Sequence, residues 1–167
     1  MNEDANQTKS ENPASPAITQ KTTLQQIEQL SYPCSCKACS NGCHFGSGVF
    51  SDDQLPSVAL HLNISEEDLK KNHLEPITKF NTTRFRPKIE RQKGKPYGKC
   101  TFYDEKKGCT IHAVKPLECK LAMGCKDYGE DISVWFMLDQ FVNSNDEISM
   151  KEYESYLKTG GKRLPEK

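Results

Sequence analysis

Cys34-Ser-Cys-Lys-Ala-Cys-Ser-Asn-Gly-Cys43 places four of the chain's eight cysteines within ten residues. The other four follow a gap of 56 residues, as Cys100-x8-Cys109-x9-Cys119-x5-Cys125. Thiolates repel one another and have little reason to crowd unless they share a cation. The two blocks therefore point to a metal centre, with Cys34, Cys36, Cys39, Cys43, Cys100, Cys109, Cys119 and Cys125 as its candidate ligands. Soft thiolate donors select zinc, copper(I) or iron–sulfur clusters. They exclude calcium and magnesium as the main tenant, since those ions want oxygen. Two four-thiolate sites, two clusters, or a set with spare cysteines all remain open on spacing alone.

The rest of the composition fits a domain that needs such a staple. Only 35% of the 167 residues are hydrophobic, below the usual 45–50% of globular chains. A thin core gains from a metal that ties distant segments together. The formal net charge is zero, so no global field steers the chain to nucleic acid or to a membrane surface. Met1 to Gln20 is polar and lacks an apolar run of signal-peptide type. The longest apolar run, Val134-Trp-Phe-Met-Leu138, is far too short to span a bilayer. These features predict a cytoplasmic protein with no membrane partner. In reducing surroundings a disulfide scaffold, the other reading of eight cysteines, is disfavoured.

Working outward, residues 1–20 read as a disordered tail, rich in Asn, Ser, Pro and charge. Residues 21–160 read as the cysteine-cluster domain and 161–167 as a flexible C-terminus. Leu24, Ile27 and Leu30 recur at helical spacing, up to Tyr32-Pro33. Gly42, Gly46 and Gly48 suggest tight backbone turns around the first block. Ser51 and Ser65 are N-cap candidates, the first leading an apolar face of Leu55, Val58, Ala59 and Leu62. Pro76 predicts that the second helix ends near Leu74. Thr78 to Lys99 reads as extended and basic. Cys100–Asp104 and Gly108–His112 flank Glu105-Lys-Lys as a β-hairpin, across whose foot Cys100 and Cys109 could meet. Pro116 suggests a short helix carrying Cys119. Further helices are expected over 133–141, with Trp135 and Phe136 in the core, and over 149–157. The expected class is α+β: a small metal-stabilised domain with a β-hairpin, short helices and cysteine-bearing loops.

Other candidates are weaker. His44 and His112 sit beside cysteines and could ligate or donate to a thiolate, although an ordinary half-exposed histidine is the simpler reading. His61 and His73 read as surface residues. Lys115 and Glu118 flank Cys119 and could support it. The basic stretch Arg84–Lys99, with Phe85 and Tyr97, could touch RNA, but a solvated strand is favoured in a neutral chain. An unspecified protein partner is compatible with such a module.

The cysteine pattern also resembles a known family. Cys34-x-Cys36-x2-Cys39-x3-Cys43, then Cys100-Thr-Phe-Tyr, then Cys109-Thr-Ile-His-Ala-Val-Lys-Pro-Leu-Glu-Cys119 is similar to the YkgJ, or CxxCxxCC, family. That family is described as a zinc- or iron-chelating domain and is also labelled iron–sulfur-containing. Its usual form is C-x2-C-G-x-C-C, C-x-F-L and C-x-I-Y-x2-R-P-x2-C. Here Ser40, Gly42, His112 and Lys115 depart from it. The resemblance implies ligands at Cys36, Cys39, Cys43, Cys100, Cys109 and Cys119, with Cys34 standing in for the thiol missing at Gly42. It implies a zinc ion or an iron–sulfur cluster, with a lean to the cluster. A structural zinc module acting as a protein- or RNA-interaction scaffold is one alternative. A metal-dependent modification enzyme is another, since some longer relatives are flagellin lysine N-methylases.

Overall fold

The computed structural model describes residues 17–30, 41–121, 128 and 130–167. Cys34, Cys36, Cys39 and Cys125, the first sixteen residues and the Tyr32-Pro33 helix end lie outside the described residues. The class is α+β. Helix α1 covers Leu24–Leu30 and buries Ile27. Ser51 opens the next helical stretch with a capping box to Gln54. A 3-10 turn, Asp52–Gln54, runs into α2, Leu55–Leu62, whose buried face is Leu55, Val58 and Ala59. Asn63 ends α2 in the left-handed conformation (φ 55°), a C-cap that Asn tolerates. The Ser65 hydroxyl then accepts from the Asp68 N–H to start α3, Glu66–Asp68. This helix continues as a π-helical turn, Leu69–His73.

Where the sequence suggested only extended chain, the structure forms two antiparallel pairs. Strand β1, Leu74–Lys79, pairs with β2, Thr82–Pro87, from Leu74↔Pro87 to Lys79↔Thr82. The connection is the two residues Phe80-Asn81, both with positive φ (46° and 55°). That is the conformation of a type I′ turn, whose twist matches the strands. The Phe80 ring then packs edge-on against Tyr153 and Tyr156, which holds an unfavourable turn residue in place. Pro76 sits in β1, whose only sheet neighbour among the described residues is β2, so its missing N–H is tolerated at an edge. Strands β3, Ile89–Arg91, and β4, Gly98–Cys100, form the second pair. The predicted hairpin is present but short: β5, Tyr103–Asp104, pairs with β6, Gly108–Cys109. Asp104 Oδ1 accepts the Lys106 and Lys107 N–H groups, and Gly108 takes φ 76°. The chain then passes through a 3-10 turn, His112–Val114, into α4, Leu117–Lys120. Helices α5, Asp131–Phe141, and α6, Glu147–Lys158, follow. No described helix is long and apolar enough to cross a membrane.

Two apolar clusters organise these elements. One gathers Ile27, Val49, Leu117, Leu121, Trp135, Phe136 and Phe141. The Trp135 indole N–H donates to the Thr22 carbonyl at 2.6 Å, which seats the residues preceding α1 on α5. Leu164 is buried in the same cluster, and the Gln20 N–H donates to the Pro165 carbonyl. The other cluster holds Phe50, Leu55, Val58, Leu69, Leu74, Phe102 and Ile111, together with Cys100. Val49 and Phe50 are adjacent in the chain, yet each belongs to a different cluster.

The basic stretch is largely paired. Arg84 meets Asp52 at 2.7 Å, and Arg86 and Arg91 share Glu75. The bidentate hydrogen bonds from Arg91 hold the Glu75 carboxyl below its usual range, aided by Arg86 and opposed by burial. A carboxyl whose folded pKa is depressed stabilises the fold above its unfolded pKa of about 4.3. That contribution disappears as pH falls through the folded value. Urea unfolding of Glu75→Gln should therefore show a flatter loss of stability below about pH 4.3 than the parent protein. Identical acid limbs would contradict the pairing.

Candidate metal centre

The described cysteines are placed by hydrogen bonds and close backbone packing, some local and some long-range. Around Cys43 the chain turns tightly, with the Phe45 and Gly46 N–H groups donating to the Gly42 carbonyl. The segment then runs beside β4: the Cys100 N–H donates to the Cys43 carbonyl at 2.8 Å and the Gly98 N–H to Phe45 at 3.3 Å. Cys43 and Cys100, from different blocks, are thus backbone neighbours. Cys100 is buried at the end of β4, opposite Ile89. Its sulfur accepts the N–H groups of Phe102 and Tyr103. Cys109 stands opposite Tyr103 in the hairpin, so Cys100 lies just beyond the foot and not across from it.

Cys119 is carried by a four-residue helix that is fastened from outside. The Gln54 side chain accepts the Leu117 N–H at 2.8 Å and donates to the Lys115 carbonyl. The Glu118 carboxylate accepts the Val49 N–H at 2.8 Å, and the Glu118 N–H donates back to the Val49 carbonyl. Gly48 packs directly on the thiol. A Cβ there would lie 2.5 Å from Cys119 Sγ and 3.0 Å from Cys119 N. Close approach, and not a left-handed turn, is what this position requires. The Gly48 N–H also donates to the Cys119 sulfur.

The four thiols lie within electrostatic reach of one another. Desolvation of the Cys119 sulfur, then Cys43, Glu118 and Cys100, together push the thiol up to about 12 against the Gly48 amide, although the residue as a whole is exposed. Burial lifts Cys100 to about 11, with added pressure from Cys43 and Cys109. Cys43 is raised by burial and then by Cys109, while Lys115 opposes. Cys43 is thus coupled to all three others. The raised Cys43, Cys100 and Cys119 thiols hold their protons, which a soft cation must displace to bind. Among the described residues, no three His, Cys, Asp or Glu side chains are gathered tightly enough to hold a metal by themselves. The donor chemistry nevertheless fits zinc or iron: the neighbouring donors are thiols, and amide N–H groups are already aimed at two sulfurs.

The histidines are less engaged. His44 lies 3.7 Å from Glu105 and edge-on to Tyr103. It lines an open hollow of about 600 Å³ with Asn41, Phe45, Glu90, Gln92 and Lys99. His112 and His61 are exposed. His73, expected on the surface, instead stacks on Phe102 at 5.7 Å. Lys115 acts electrostatically on Cys43, while Glu118 bonds the Val49 N–H and its charge raises the Cys119 thiol. The close seat of Gly48 on Cys119 had no signal in the sequence, since the contact is long-range.

Residues 35–147 match the CxxCxxCC family, described as "Putative zinc- or iron-chelating domain". This match spans well over half of the chain, and the protein belongs to that family. It is a metal-binding protein in that sense, with zinc or iron as the family's tenant. Neither the curated proteins nor the solved structures offer a match.

Proposed function

We propose that the chain holds an iron–sulfur cluster or zinc through Cys43, Cys100, Cys109 and Cys119, completed by Cys34, Cys36, Cys39 and Cys125. The carrying observation is the coupling of four thiols from both blocks around Cys43, with amide donors already directed at Cys100 and Cys119. Such N–H···S bonds stabilise thiolate charge and tune a cluster's potential. In this reading the metal joins the β4–β6 region to α4, and binding free energy becomes folding free energy. The iron–sulfur form is placed first on the iron–sulfur label carried by the resembled family, and a closed zinc module is the second reading.

Anaerobic purification followed by elemental analysis separates the two. A brown protein with iron and acid-labile sulfide in stoichiometric amounts is the expected result. A colourless protein carrying stoichiometric zinc would move the assignment to the zinc module. A protein that takes up neither metal would remove both.

A further inference from the structure

Among the described residues, Glu118 is the one carboxylate hydrogen-bonded to the backbone that seats Cys119. Its Oε2 accepts the Val49 N–H at 2.8 Å while its own N–H donates to the Val49 carbonyl at 3.3 Å. These reciprocal bonds span 69 residues of sequence. They form a two-point clamp that fixes both distance and orientation between the 48–49 segment and α4. A helix of four residues cannot hold itself, so its placement must come from such contacts. The residue next to the clamped one is Gly48, whose N–H donates to the Cys119 sulfur and whose Cα offers no room for a side chain. Val49 is buried among Leu117 and Leu121, so the segment cannot drift while the clamp is closed.

We propose that Glu118 is a positioning residue: by clamping Val49 it aims the Gly48 N–H at Cys119 and presents that sulfur for ligation. The ligation half rests on the metal-binding reading above; the positioning half does not. Glutamine at this position keeps an oxygen acceptor for the Val49 N–H, whereas alanine removes it. The two variants therefore separate the loss of charge alone from the loss of the hydrogen-bonding side chain.

The test uses the full chain, reduced and metal-free, as the parent, Glu118→Ala and Glu118→Gln. Alkylation of Cys119 by iodoacetamide, followed by mass spectrometry, reads the seat without any metal. Glu118→Ala should react at least ~5-fold faster, as expected when one hydrogen bond to a charged group no longer opposes local opening. Titration with Co²⁺, read by thiolate-to-cobalt charge-transfer absorbance, should show about 10-fold weaker binding, the usual scale for losing an outer support. Glu118→Gln should stay close to the parent in both assays. Parent-like behaviour of Glu118→Ala, or a Glu118→Gln as impaired as Glu118→Ala, would overturn the proposal. If the parent gives no cobalt–thiolate band while alkylation still separates the variants, the metal reading fails and the positioning role stands.

Discussion

Cys100→Ser is expected to strip the protein of its metal and to unfold much of the domain. The substitution is nearly isosteric, so packing around the buried side chain changes little and the readout is coordination. Serine's hydroxyl is a harder and far less acidic donor than a thiol, and soft cations discriminate against it. Structural zinc contributes an apparent ~10–16 kcal/mol in small metal-folded domains. Loss of one ligand should therefore exceed the roughly 10–100-fold penalty of an outer-support defect. The same result is expected for Cys109→Ser and Cys119→Ser. His61→Ala, at an exposed position of α2, should alter neither metal content nor melting temperature. Metal stoichiometry and thermal melts of the four variants, side by side, decide the matter. Full metal content with an unchanged melt in Cys100→Ser would refute its place in the centre.

The second large effect falls on a glycine that carries no chemistry. A Cβ at Gly98 would run into the backbone carbonyl of Glu90 and press on Arg91 Cα. Backbone cannot move aside as a flexible side chain can, so Gly98→Ala should cost about 3 kcal/mol, the upper end of overpacking effects. In a chain of this size that corresponds to a melting temperature lower by about 6–12 °C. Metal content should fall with it. Gly98 begins β4, which ends on Cys100 and lies against the Cys43 segment, so parting β3 from β4 separates two candidate ligands. A melt within 2 °C of the parent, on the ~2–4 °C per kcal/mol scale, would show that the β3–β4 contact gives way freely.

These two cases show which parts of the molecule were legible in the sequence. The cysteines announced themselves through spacing, because metal chemistry constrains residue type regardless of tertiary detail. The Ser51 and Ser65 helix starts were equally plain, since capping is decided within three or four residues. The β1–β2 hairpin was hidden for the opposite reason. Phe80-Asn81 has no glycine to signal a type I′ turn, and the rings of Tyr153 and Tyr156 that support it come from a distant helix. In the sequence Pro76 marks only the end of the preceding helix, and the two-stranded pairing among the described residues is what lets it sit in a strand. Within the site, Glu118 drew notice because it borders Cys119. The Gly48 seat did not, because a contact across that much chain leaves no periodic or local trace.

The division of labour between Val49 and Phe50 carries a consequence for what lengths of chain this protein can accept. Successive residues of an extended segment face opposite ways. One dipeptide therefore serves as the shared wall of two interiors, with Val49 turned to the Trp135 side and Phe50 to the Phe102 side. An insertion or deletion of a single residue between Gly48 and Ser51 would send each side chain into the wrong compartment, exchanging a valine-sized space for a phenylalanine-sized one. It would also carry Gly48 away from the Cys119 sulfur. The loop tip around Gly94, by contrast, has open space about it, the kind of exposed setting where changes in length are usually tolerated. The molecule's intolerance of indels is thus concentrated in a stretch that, read as sequence, looks like an ordinary connection between a cysteine loop and a helix.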